Sequence, residues 1–177
     1  AADHSLTPQD IPLLRTVALL TPPFASLTYA VPEWLAGFAW CPGLRVAVPL
    51  GRGMLRIGVV LGDGSPLPEG VTARPMLWPL EKEPLLPSGH MEMVRQLALR
   101  QAVTPGQILA MVLPAGLRVT QMRLRTMEGQ GKAQIRLLKD LPKLPVEVLA
   151  ALGEAWMRGG AELLGPREDA AASELCV

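Results

Sequence analysis

The chain is poor in the residues from which most catalytic and metal sites are built. Its only cysteines, Cys41 and Cys176, stand far apart without a Cys-x-x-Cys spacing. A tetrahedral zinc site made from this chain is therefore not expected, nor is a disulfide in a cytosolic protein. The two histidines, His4 and His90, lack a Glu-x-x-His or His-x-x-x-His neighbour and are read as having no metal or catalytic role. A phosphate-cradling loop is missing. Lys132 follows Gly131, but Thr126 stands where the first glycine is required and Ala133 where a hydroxyl is. Gly51-Arg52-Gly53 fails as a dinucleotide fingerprint, because Arg56 takes the place of the last glycine and the segment joins two strand-like runs. There is no Gly-x-Ser-x-Gly elbow. Glu81 and Glu83 flank Lys82 at a turn and are read as a solvated face rather than an acid–base pair. These absences argue against self-contained catalysis and favour a binding or scaffolding module.

Long apolar runs and a strong charge excess are also lacking. No stretch approaches the roughly 18–20 residues needed to span a bilayer. The run Val17–Leu20 stops at Thr21-Pro22-Pro23, too short and wrongly flanked for a signal peptide. A cytoplasmic location with no membrane contact is expected. The net charge of +1 falls short of the basic excess of proteins that coat long DNA. Nucleic-acid binding would then rest on few phosphate contacts, or on an end or a junction. Aromatics amount to Phe24, Phe38, Tyr29 and four tryptophans, too few for the long stacking platform of a general single-strand binder. Trp34, Phe38 and Trp40 cluster in one loop, either as a small wedge or packed under a sheet.

What the chain does contain is a core. Hydrophobic residues make up 49% of it, so its 177 residues can bury a real interior as one domain or a domain with an appendage. Residues 1–14 read as a loose leader. From Arg15 to Pro79, short β-rich runs alternate with Pro and Gly breaks: Thr16–Leu20, Leu27–Val31, Leu44–Leu50, Leu55–Leu61 and Arg74–Leu80. Leu44, Val46, Val48 and Leu50 alternate on one face and Arg45 points the other way; Leu55, Ile57, Val59 and Leu61 repeat this with Arg56 outward. Gly51-Arg52-Gly53 predicts a hairpin turn between them. Pro49 demands an edge or a position where no ladder bond is needed. Helical spacing begins at a Ser88 cap, with Met91, Val94, Leu97 and Ala98 on one face. A second helix opens at Thr104-Pro105 and a third at Pro145, which Gly159-Gly160 stops. Between them a hairpin is predicted, Val119–Met127 against Lys132–Leu138, turned by Glu128-Gly129-Gln130-Gly131. The expected fold is α+β, a small β-rich barrel-like domain followed by helices and a hairpin.

The candidate chemistry is cationic. Arg45, Arg52, Arg56 and Arg74 lie on or beside the strands, and Arg123, Arg125 and Arg136 are expected on the polar face of the hairpin. Arginine suits phosphate because its planar fork donates two hydrogen bonds at once. Such residues also simply solubilise outward strand faces, and charge alone does not separate the two.

The linear order of motifs does separate them. Val17-Ala18-Leu19 with Pro22, Tyr29-Ala30-Val31-Pro32-Glu33, the run Pro42–Arg52, Arg56-Ile57-Gly58-Val59-Val60, Glu83-Pro84-Leu85-Leu86, and Gly106-Gln107-Ile108-Leu109 with Leu113-Pro114 follow one another in order and spacing. Together they resemble the N-terminal DNA-binding region of the replication-restart helicase family PriA, over about residues 15–118. The resemblance implies a β-rich domain that holds the 3′ end of the nascent leading strand at a stalled or branched fork, with residues 119–177 forming a hairpin and helix that connect toward a winged-helix region. It places the family's DNA-binding positions on Leu27, Thr28, Gly51 and Arg74, with Arg52 beside them. Leu27 stands where the family has an aromatic ring, Thr28 where it has a carboxylate, and Arg100-Gln101 where it has a tyrosine pair. ATP, magnesium and zinc belong, by the same resemblance, to parts of the family's ATP-dependent 3′-5′ helicase that this chain does not contain, and no cofactor is expected here. Forked DNA with a 3′ end is the implied partner, and primosome proteins and single-stranded DNA-binding protein are implied through the full-length helicase. Two other readings stay open from the residues alone: a β-barrel module that binds only protein, and a fragment of an enzyme whose active site needs a partner.

Overall fold

The computed structural model describes residues 13–127 and 133–166; the N-terminal segment read as a leader lies almost wholly outside them. Val17, Ala18 and Leu19 are all fully buried, the mark of a strand covered on both faces. They belong to β1 (Leu14–Leu19), which runs antiparallel between β2 (Ser26–Ala30) and a later strand, β4. β3 (Arg45–Leu50) and β4 (Met54–Asp63) form the expected hairpin, and β5 (Trp78–Pro79) completes a sheet in the order β2-β1-β4-β3-β5. The hairpin turns at Gly51-Arg52-Gly53, with φ of +62° at Gly51 and +71° at Gly53, a left-handed conformation that glycine adopts without steric cost. Pro49 sits past the short stretch that β5 covers, which is Val46 and Ala47 only, so its missing N–H breaks no bond to β5. Thr16 pairs with Gly62 but Val17 with Val60, so Leu61 is an extra residue that bends β4.

The fold is mixed α+β, as expected, but the sheet does not close into a barrel. The end strand β2 reaches the chain ahead of β5 at one isolated bridge, Ala30 to Pro75, where Ala30 N donates to Arg74 O and Met76 N donates to Ala30 O, both at 2.9 Å. Of the predicted run Arg74–Leu80 only Trp78–Pro79 is strand; ahead of it Pro75 offers no donor to a ladder and makes only the isolated bridge to Ala30.

α1 (Ser88–Gln101) buries Met91, Val94 and Ala98. Its cap is Pro87 rather than Ser88, which is already the first helical residue. α2 (Pro105–Val112) starts as predicted: Thr104 accepts from Gln107 N, and the Gln107 side chain accepts in return from Thr104 N. α2 lies directly on the first sheet; a Cβ at Gly106 would stand 2.3 Å from Leu19 O.

β6 (Arg123–Met127) and β7 (Ala133–Leu137) form the second hairpin, whose predicted turn lies outside the described residues. After α3 (Val146–Met157) the chain turns at Gly159 and forms a strand that the sequence pattern does not reveal, β8 (Ala161–Leu164). The second sheet has the order β7-β6-β8. Its register corrects the expected polar face. Arg123 and Arg125 oppose Leu137 and Ile135, whereas Arg136 opposes buried Leu124 and lies on the other face. One hydrophobic core joins both sheets. Trp78 meets Trp156 of α3 edge-on at 6.0 Å, and Gly153 of α3 allows close approach to the Trp34 carbonyl. No helix among the described residues is long and apolar enough to cross a membrane.

Candidate nucleic-acid interface

β2 is an end strand, and its pairing with the chain ahead of β5 stops at Ala30. Where it stops, a groove of about 520 Å³ opens between β2, the β3–β4 turn and residues 67–74. Leu27, Thr28, Gly51 and Arg74 all line this groove, although their motifs are dispersed along the sequence. Arg74 is exposed, and its Nη1 donates to the Gly51 carbonyl at 2.6 Å, which fixes the guanidinium at the rim. Arg52 is exposed at the turn but is not one of the lining residues, so the structure does not bring it together with the other four.

Tyr29 also belongs to this groove, although the sequence pattern does not mark it as a site residue. It is the only tyrosine of the chain, it is buried, and its hydroxyl donates to the Pro49 carbonyl at 2.9 Å. Burial pushes its pKa above the ordinary value, while the positive charge of Arg74 pulls it back down. The hydroxyl therefore stays protonated near neutrality and braces the strand that leads into Gly51. Its place inside the Tyr-Ala-Val-Pro-Glu motif was the one sequence signal for it. Val71, Thr72 and Ala73 complete the far wall.

Arg45 is not available to a ligand phosphate. Its backbone N donates to Glu81 Oε2 at 3.1 Å, its Nε to Glu81 Oε1, and its Nη1 to Leu117 O at 2.7 Å. The side chains of Arg45 and Glu81 are only 11% and 19% exposed. Glu81 is thus no solvated carboxylate but the internal partner of Arg45; burial raises its pKa, against the charge and hydrogen bonds of Arg45. Glu83 is exposed, as expected. Arg125 is likewise engaged, by Glu162 across the second sheet. Trp40 is buried with its Nε1 on Leu35 O, Phe38 packs edge-on against it, and Trp34 donates to Leu77 O, so the aromatic loop packs on the core rather than forming a wedge. Among the described residues no group of three or more His, Cys, Asp or Glu side chains could hold a metal ion.

The family model for the 3′DNA-binding domain (3′BD) of PriA matches residues 16–114, more than half of the chain. The chain belongs to that family. The match runs from β1 through α2 and includes every wall of the groove at the β2 edge. The 3′BD family is one of DNA-binding domains, not of motors. No curated protein matches the chain.

Proposed function

We propose that the groove at the β2 edge receives the 3′ terminus of a DNA strand. In this reading the chain is the fork-recognising module of a PriA-type replication-restart helicase, acting at the 3′ end of the nascent leading strand for primosome assembly. The observation that supports it is the convergence of Thr28, Gly51 and Arg74, the positions singled out by the family pattern, on one groove. Each has a distinct task there. The Thr28 hydroxyl accepts a hydrogen bond from a terminal 3′-hydroxyl, without the charge assistance that a carboxylate would give. Gly51 presents bare backbone to a base. Arg74 uses one N–H on Gly51 O and keeps the rest of its fork for a phosphate. Leu27 supplies an apolar wall in place of a ring. Primosome proteins and single-stranded DNA-binding protein are partners of the longer helicase, and its ATP, magnesium and zinc are assigned to other regions.

Fork binding with 3′-hydroxyl ends against 3′-phosphate ends tests the reading. Tighter binding of the hydroxyl end is expected. Equal affinity for both ends excludes end recognition, and no salt-dependent binding to any fork excludes DNA and favours a protein-interaction module.

A further inference from the structure

The groove that takes the terminus is one of three that meet around the tip of the β3–β4 hairpin. On the other side of the Arg74–Gly51 hydrogen bond lies a second groove of about 730 Å³, and Pro49, Gly51 and Arg74 line both. Its floor is apolar, with Trp34, Pro75, Leu77 and Leu149; Lys139 and Lys143 also line it. The one carboxylate in its wall among the described residues, Asp140, is held by Lys143 at 2.7 Å. Past Gly53, Met54 and Leu55 the second groove passes into a third of about 650 Å³, between the hairpin and the second sheet. Arg56, Arg123 and Lys139 line that third groove together with Thr120 and Gln121, and among the described residues no carboxylate does. Arg56 Nε is buried there and finds no hydrogen-bond partner among the described residues.

We infer that the nucleotides preceding the 3′ terminus run over the hairpin tip through these two grooves, with bases on the apolar floor and phosphates on Arg56 and Lys139. The inference rests on the terminal-groove reading and extends it beyond residue 114, where the family match ends. A strip of apolar surface followed by cations is what single-stranded nucleic acid requires, since bases take the first and phosphates the second. An acidic peptide would match the cations but has no planar bases to lay on the floor. A footprint of a few phosphates also agrees with a chain whose net charge is only +1.

The test uses oligothymidylates of two and eight nucleotides with 3′-hydroxyl ends, bound to the full chain at two salt concentrations. The octamer is expected to bind more tightly than the dinucleotide, with a salt slope steeper by roughly 0.7 for each added phosphate contact. Lys139→Gln, at an exposed position, should weaken the octamer several-fold and flatten its slope while leaving the dinucleotide unchanged. Arg56→Gln should do the same if its melting curve matches the parent; should it unfold, Lys139→Gln alone decides. Equal affinity for both lengths, or equal losses on both, overturns the inference, as does displacement of the octamer by hexaglutamate at similar concentration. Failure of the terminal groove is read separately, as equal binding of 3′-hydroxyl and 3′-phosphate dinucleotides by the parent chain.

Discussion

Replacing Arg74 by alanine isolates the chemistry of the terminal groove from the stability of the fold. Arg74 is exposed, and its side chain contributes one hydrogen bond to the protein, from Nη1 to Gly51 O. Losing that bond costs about 0.5–1.5 kcal/mol of stability, and the hairpin remains paired along β3 and β4. A bound phosphate loses more, because a hydrogen bond to a charged group is worth about 1.5–3 kcal/mol. Dissociation constants for 3′-ended strands should therefore rise by roughly tenfold to 150-fold, at 1.4 kcal/mol per decade. Arg74→Lys keeps the charge without the planar fork and should fall between. Fluorescence anisotropy with labelled forks at two salt concentrations measures the loss. Tyr29 gives a reading without DNA: Arg74 lowers its pKa, so Arg74→Ala should move the absorbance titration of this single tyrosine upward. Parent-like affinity at both salts, together with an unmoved Tyr29 titration, would refute the placement of Arg74 beside both the ligand and Tyr29.

Glu81→Ala strands the Arg45 guanidinium with only the Leu117 carbonyl and should cost about 2–4 kcal/mol in urea unfolding, toward the lower end because neither partner is wholly buried. Because the Glu81 pKa is raised in the fold, its contribution to stability is fully present below the unfolded carboxyl pKa and declines as pH rises through the folded value. Glu81→Gln should flatten that part of the stability–pH curve, and an unchanged slope would count against the assignment. Gly106→Ala should destabilise by about 1–3 kcal/mol although alanine is the better helix former, since its Cβ meets Leu19 O at 2.3 Å and Phe24 O at 2.8 Å; a neutral or raised melting temperature would contradict the close seating of α2 on β1. Leu27→Phe should leave fork affinity unchanged or improve it by at most about 1–3 kcal/mol through base stacking, and a clear loss would contradict a stacking role for a ring at this position.

The parts of this molecule that local chemistry dictates were legible in the sequence. Period-two alternation marks β3 and β4, two glycines at positive φ mark their turn, and Thr104, Pro105 and Gln107 write the start of α2. The clustering of Leu27, Thr28, Gly51 and Arg74 came from motif order alone, since nothing local says that the edge of β2 faces a turn two strands away. Long-range partnerships were hidden for the same reason. Glu81 looks like a surface acid until the fold brings it to Arg45, and Arg136 looks like a companion of Arg123 and Arg125 until the register sets it opposite Leu124. β8 is four residues without alternation, and only the exposed edge of β6 makes it a strand. Lys139 and Lys143 gain meaning from a short 3₁₀ turn, Leu138–Lys143, that lines the groove beside the hairpin tip.

The most direct measurement of where a 3′ end sits is photo-cross-linking from a DNA strand that carries a reactive base at its last nucleotide, with the modified peptides mapped by mass spectrometry. Cross-links are expected in residues 26–29, 49–51 and 67–74, the three segments that enclose the groove, and they should fade there when the probe is moved several nucleotides inward. Cross-links confined to β6, β7 or α1, or a pattern indifferent to the probe's distance from the terminus, would contradict the assignment of this groove to the end of a DNA strand.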